Sequence, residues 1–202
     1  MSAEHAHAPP LTGPGGSPVA GAAAVPPGRI GMALFLGSDV MGFGGLLLAF
    51  ALLRAQAAAW PEPALRFDRI LAAVLTALLL ASSATMAAAL GAGRAGGPAA
   101  RRWLLVTAAL GAAFVAGQAV EFATLASAHH LGLAADQAAS IFYVVTGFHG
   151  LHVLAGVVIL LAVARRPARE PLEVASLYWQ FVDLVWIVIF TVVYLLPARP
   201  RG

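Results

Sequence analysis

The sequence predicts an all-α membrane protein, a bundle of five transmembrane helices, on three observations. The first is composition: 60% of the 202 residues are hydrophobic, 10% are charged, and the mean hydropathy is +0.85, which is more apolar surface than a soluble domain of this size can hide. The second is that five apolar stretches approach the ~20 residues that a bilayer core takes as helix, with short, breaker-rich connections between them. The third is the placement of arginine, the chain's only basic residue apart from histidine. Arg54, Arg94, Arg101, Arg102, Arg165, Arg166, Arg199 and Arg201 stand just outside the apolar runs, as arginines do when they hold helix ends in the headgroup region.

Taken in order, the first helix is expected at about 29–54, between Pro26-Pro27-Gly28 and Trp60-Pro61-Glu62-Pro63, with Asp39 inside it. The second is expected at about 69–91, ended by a cluster of glycines and Pro98. The third opens on Arg101-Arg102-Trp103, runs over about 102–126 and carries Glu121 toward its far end. A polar stretch, His129 to Asp136, leads to the fourth helix at about 137–164, which stops at Arg165-Arg166-Pro167. The fifth, about 172–196, stops at Pro197. Residues 1–27, rich in Ala, Pro and Gly, read as a disordered tail in which His5 and His7 are solvated; residues 198–202 form a short C-terminal tail. The longest gap between spans is only about a dozen residues, so one domain of residues 28–197 suffices. In the short loops, Arg29, Arg94, Arg101, Arg102, Arg165, Arg166 and Arg169 fall on the N-terminal side, against Arg54, Arg66, Arg69, Arg199 and Arg201 on the other. That bias places the N-terminus in the cytoplasm and the C-terminus outside.

Several functions are excluded by content. The net charge of +3 is not gathered into a patch, so no nucleic-acid partner is expected. With no cysteine there is no disulfide, iron–sulfur cluster or thiolate-bridged copper. His149 and His152, three apart, share one helix face, and no other histidine lies within a span to complete a metal site or a bis-imidazole haem site. No redox centre or other cofactor is expected in this chain.

Four ionisable residues stand well inside spans: Asp39, His149, His152 and Asp183. Each costs about 2.5–3.5 kcal/mol at a helix centre unless it faces protein or water. Asp39 lies about 15 Å along its helix from Arg29, a depth that the two histidines share, so a lateral pair between Asp39 and one of them is expected. Such groups form a polar seam that locks helices together, stores protons or holds a lipid headgroup; plain interhelical hydrogen bonds would also satisfy them. Glu121, with Gln118 on its face, reads as a partly wet interfacial carboxylate. Trp179 and Trp186 share the face of Asp183 and either wall a lipid or subunit contact or simply pack. Small residues at Gly42-Phe43-Gly44-Gly45, at Ala81-Ser82-Ser83-Ala84-Thr85 and at Gly147 and Gly150 allow close helix approach and cross-helix hydrogen bonds.

Read as a set, these strings resemble a known family. Thr146-Gly147-Phe148-His149-Gly150-Leu151-His152-Val153 is similar to the T-G-F-H-G-L-H-V signature of subunit III of the haem-copper oxidases, and Tyr178-Trp179-Gln180-Phe181-Val182-Asp183-Leu184-Val185-Trp186 resembles that family's Y-W-H-F-V-D-x-V-W. Leu34 to Met41, with Arg54 closing the helix, resembles F-x-x-S-E-x-M followed by L-R. Weaker matches run through Ser82-Ser83 and Thr85, and through Leu110-Gly111, Phe114, Gln118 and Glu121. Two departures stand out: Asp39 replaces the usual Glu, and Gln180 replaces the usual His.

The resemblance implies the five-helix bacterial form of subunit III, in the cytoplasmic (inner) membrane. It implies an accessory subunit of a proton-pumping terminal oxidase, bound to catalytic subunit I with subunit II in the same complex. Haem and copper would reside in those partners, and this chain would supply packing surface, bound phospholipid and help with proton uptake. The alternatives are the related accessory protein of nitric oxide reductase and, in another class, a small transporter or proton channel.

Overall fold

The computed structural model describes residues 26–57, 69–95, 98–128 and 136–195. The expectations for the two tails, for the 60–63 breaker and for the loop at 129–135 lie outside them, as do Arg66, Arg199 and Arg201. Five helices are long and apolar enough to cross a membrane, and the described residues contain no strand.

Helix α1 is Pro27–Gln56, α2 Arg69–Arg94, α3 Ala99–Ala128, α4 Gln137–Arg165 and α5 Arg169–Phe190, the last continued by one π-helical turn, Thr191–Leu195. Pro27 opens α1 in the first turn, where its missing N–H would have had no partner and its fixed φ already suits a helix. Asp136 caps α4, its carboxylate accepting from Ala139 N at 2.8 Å. Asp136→Ala is therefore expected to cost about 1 kcal/mol, read as a lower thermal midpoint of the purified protein.

Helices α1 and α3 run two or three residues past the expected bounds at each end, and two further ends differ for physical reasons. Helix α2 runs on to Arg94 through Gly91 and Gly93, and Gly93 lies directly beneath the Leu172 side chain of α5, where a Cβ would overlap it. The glycine there serves close approach between helices. Helix α5 begins at Arg169, three residues early, since Pro171 falls in the first turn, where a proline breaks no internal hydrogen bond.

Consecutive helices run antiparallel, as short connections require, so α1 and α5 are parallel. Helix α5 lies at the centre, packed against α1, α2 and α4 and touching α3 through Trp179 and Tyr194. Helix α1 lies at the margin: only Phe43 and Phe50 of its residues are buried. Helix α4 turns Leu151, Leu154, Val158 and Leu161 outward, an apolar strip suited to acyl chains. The chain is a multi-pass membrane protein.

Candidate functional site

The residues that most need an explanation are the polar ones within the spans. They form several separate stitches between helices.

The stitch between α1 and α4 is Asp39 with His152, Oδ1 to Nε2 at 3.3 Å. His152 Nδ1 lies 2.8 Å from the Phe148 carbonyl, and a carbonyl only accepts, so Nδ1 carries a hydrogen. In the neutral ring Nε2 is then bare, and a hydrogen bond to Asp39 requires one further proton on either partner. A proton added to either partner would join the two. Around it stand Phe43 and Phe148, their centroids 5.1 Å and 4.6 Å from the His152 ring. Asp39 Oδ2 is buried and meets no hydrogen-bond partner among the described residues.

His149, three residues earlier, serves another neighbour. It is fully buried, and its Nε2–H donates to the Val182 carbonyl of α5 at 3.2 Å. Its ring packs on Trp186 and Phe114 at 5.0 Å and 5.6 Å. The two histidines share a face in the broad sense but diverge by enough to reach different helices. Among the described residues no three His, Asp or Glu side chains converge as a metal ion would need.

Asp183 turns toward α2, where the Ser83 hydroxyl donates to its Oδ2. Two further bonds run beside this one: Trp179 Nε1–H to Ser82 Oγ and Trp186 Nε1–H to Thr76 Oγ1, both at 2.9 Å. Ser82 and Thr76 pass their own hydrogens to the Leu79 and Ala72 carbonyls. Both indoles are thereby turned inward, at 0% and 1% exposure, and leave no ring surface to wall an outside lipid or subunit. The reason is register: each sits one helical turn from Asp183 on the face that meets the α2 hydroxyls.

Glu121 is 2% exposed and is not the half-wet group that its place near a helix end suggested. The Tyr194 hydroxyl, carried on the π-helical turn after α5, donates to both of its carboxylate oxygens at 3.0 Å and 2.9 Å. That turn folds the end of α5 over the carboxylate and excludes water. Arg54 reaches the Val192 carbonyl at 3.5 Å, joining α1 to the same region. Gln118 donates to the Thr146 carbonyl at 2.8 Å, and Tyr178 to the His152 carbonyl at 3.0 Å.

At the opposite end the sequence reading missed Glu173, which pairs with Arg29 of α1 and, at 3.2 Å, with Arg169 one turn before it. The i,i+4 spacing of Arg169 and Glu173 was the available signal. Ser83 makes the kind of cross-helix bond expected of its string of small residues, but its partner Asp183 was not named, and Tyr194 was missed, since nothing in a sequence says which way a helix is rotated.

The site therefore brings Asp39 and His152 together and gives His149, Asp183 and Glu121 each its own partner on another helix. Known proteins similar to this chain identify its family. The family model for cytochrome c oxidase subunit III matches residues 20–197. The chain is 36% identical to a cytochrome c oxidase subunit 3 of Thermostichus vulcanus over 83% of this chain and 86% of that one. It is 40% identical to that of a Synechocystis species, over 82% and 74%, and 36% identical to that of Corynebacterium diphtheriae, over 82% and 86%. A match that spans all the described residues, and with them the five membrane helices of this chain, means that this chain belongs to the cytochrome c oxidase subunit III family.

Proposed function

We propose that this chain, an accessory subunit III of a haem-copper oxidase, supports aerobic respiration by steadying the haem-bearing catalytic subunit and keeping a proton-carrying pair beside it. The observation that supports the proton role is Asp39 with His152. Their ring nitrogen and carboxylate oxygen lie 3.3 Å apart, close enough to share a proton, and the pair hangs on α1, the helix with the least packing inside the chain. Haem and copper sit in the partner subunits I and II and carry out the reduction of dioxygen. Within this chain Asp39 and His152 hold a proton, and the remaining stitches keep the bundle rigid. Phospholipid acyl chains cover the outward strips such as that on α4. The bacterial cytoplasmic membrane is the site of the complex, with the N-terminus inside and the C-terminus outside, as the arginine bias favours.

The test is purification of the tagged chain in mild detergent from its own host, with haem spectra and mass identification of partners. A haem-bearing oxidase is expected to accompany it. A nitric oxide reductase in its place would move the reading to that complex, and a chain that emerges alone and conducts protons in liposomes would refute it. In the intact complex, Asp39→Asn and His152→Leu are each expected to slow proton uptake, followed with a pH dye, while leaving the haem spectrum unchanged. Uptake equal to wild type in both variants would remove the proton role.

A further inference from the structure

Three consecutive residues map the surroundings of α5. Trp179 reaches α2, with Nε1 on Ser82. Phe181 meets Phe43 of α1 at a centroid distance of 6.4 Å. Gln180, about 100° from each around the helix, points between them, on the side away from Tyr178 and α4. It is exposed, as are Leu184 and Ile187 on the same strip, at 60% and 44%. These residues floor a groove walled by α1 and α2, both of which pack on α5.

The walls are low. On α1, Arg29 and Arg54 mark the side that reaches α5, and Gly37 and Gly44 follow around the helix on the groove side, with open space where a Cβ would stand. On α2, Thr76 and Ser83 mark the side toward α5, and the exposed Ala84 follows. Gly37 and Gly44, seven residues apart, lie on one stripe that a helix backbone can approach closely.

Gln180 decides what fills the groove. It lies about 16 Å along α5 from Arg169, level with Phe43 of α1, which is too deep for a headgroup. Its amide nitrogen donates to Ser176 Oγ at 3.3 Å, its one hydrogen bond among the described residues, and hydrocarbon offers nothing to the rest of an exposed amide. We propose that the groove between α1 and α2 seats a transmembrane helix of the haem-bearing chain, one that presents a hydrogen-bonding side chain to Gln180. The outward strip of α4 carries only Leu and Val and supplies no such group, so a second copy joined through that strip leaves the amide unanswered.

The inference rests on the subunit reading above, and one experiment separates the two. In the complex purified from its native membrane, a benzophenone amino acid is placed at Leu184 in the groove or at Leu161 on the α4 strip. Ultraviolet light is expected to crosslink the Leu184 probe to the haem-bearing chain and the Leu161 probe to lipid alone. Gln180→Leu is expected to raise the fraction of this chain lost on detergent washing about three- to tenfold, the range of one interhelical hydrogen bond, and Gln180→His to restore retention. Crosslinks from Leu184 to a second copy or only to lipid, or wild-type retention of Gln180→Leu, would overturn the groove. A crosslink to the haem-bearing chain from Leu161 and not from Leu184 overturns the groove but keeps the subunit reading, whereas a chain that emerges without haem overturns both.

Discussion

Trp179→Ala is expected to destabilise the bundle by about 3–5 kcal/mol, the range for emptying a buried tryptophan site. The indole is fully buried and makes contact with three other helices. Its Nε1–H bonds Ser82 of α2. Its ring edge fills the space where a Cβ on Gly111 of α3 would stand, and two of its carbons lie 2.9 Å from the Cβ position of Gly156 on α4. Those glycines leave a slot shaped to one ring, and the helices around it cannot close on a methyl group. Trp179→Phe keeps part of the ring but drops the donor, so its loss should be smaller. Gly111→Val attacks the same slot from the other side and should behave like the alanine variant. Thermal midpoints of the purified proteins in one detergent rank the three. A Trp179→Ala protein as stable as wild type would mean that the slot collapses freely.

The second large effect is a non-additive one. His152→Leu leaves the Asp39 carboxyl within the membrane without its partner, at a cost of about 2.5–3.5 kcal/mol if it remains charged. Asp39→Leu removes the acceptor of a ring that is still held by the Phe148 carbonyl, and it should cost less. The double variant replaces both groups by hydrocarbon and is expected to recover most of what His152→Leu loses, since an apolar pair needs no answering group. A coupling energy near zero in this cycle would show that the two side chains act independently. In contrast, both single variants and the double should be alike in proton uptake, because each one removes a member of the proposed proton-sharing pair. Stability and uptake therefore sort the variants differently, and that difference separates a structural from a functional part for the pair.

Much of the fold could be read from hydropathy and breakers, because a bilayer imposes a length on every span and leaves the backbone little choice but helix. Depth was legible for the same reason: counting residues from Arg29 brings Asp39 to the level at which it meets α4. Rotation was not. Whether His149 or His152 faced Asp39 depended on how α4 is turned against α1 and α5, and a three-residue spacing leaves that open. Glu121 misled because nearness to a helix end is a poor guide to wetness when a later segment folds over it. Gly93 misled in the opposite sense, as a breaker in water that serves as a contact point here, while Gly91 continues the helix with open space where a Cβ would stand. Gln180 gave no signal by itself; its side toward the groove follows only from the neighbours that flank it.

The central place of α5 has a consequence for how the molecule is made. It is the last of the five helices to leave the ribosome, yet it carries the groups that answer Ser83, His149 and Glu121. Until it arrives, a four-helix nascent chain holds hydroxyls, an imidazole and a carboxylate in the bilayer with their native partners still unsynthesised. Insertion of the fifth helix therefore supplies in one step the partners that the first four leave unanswered.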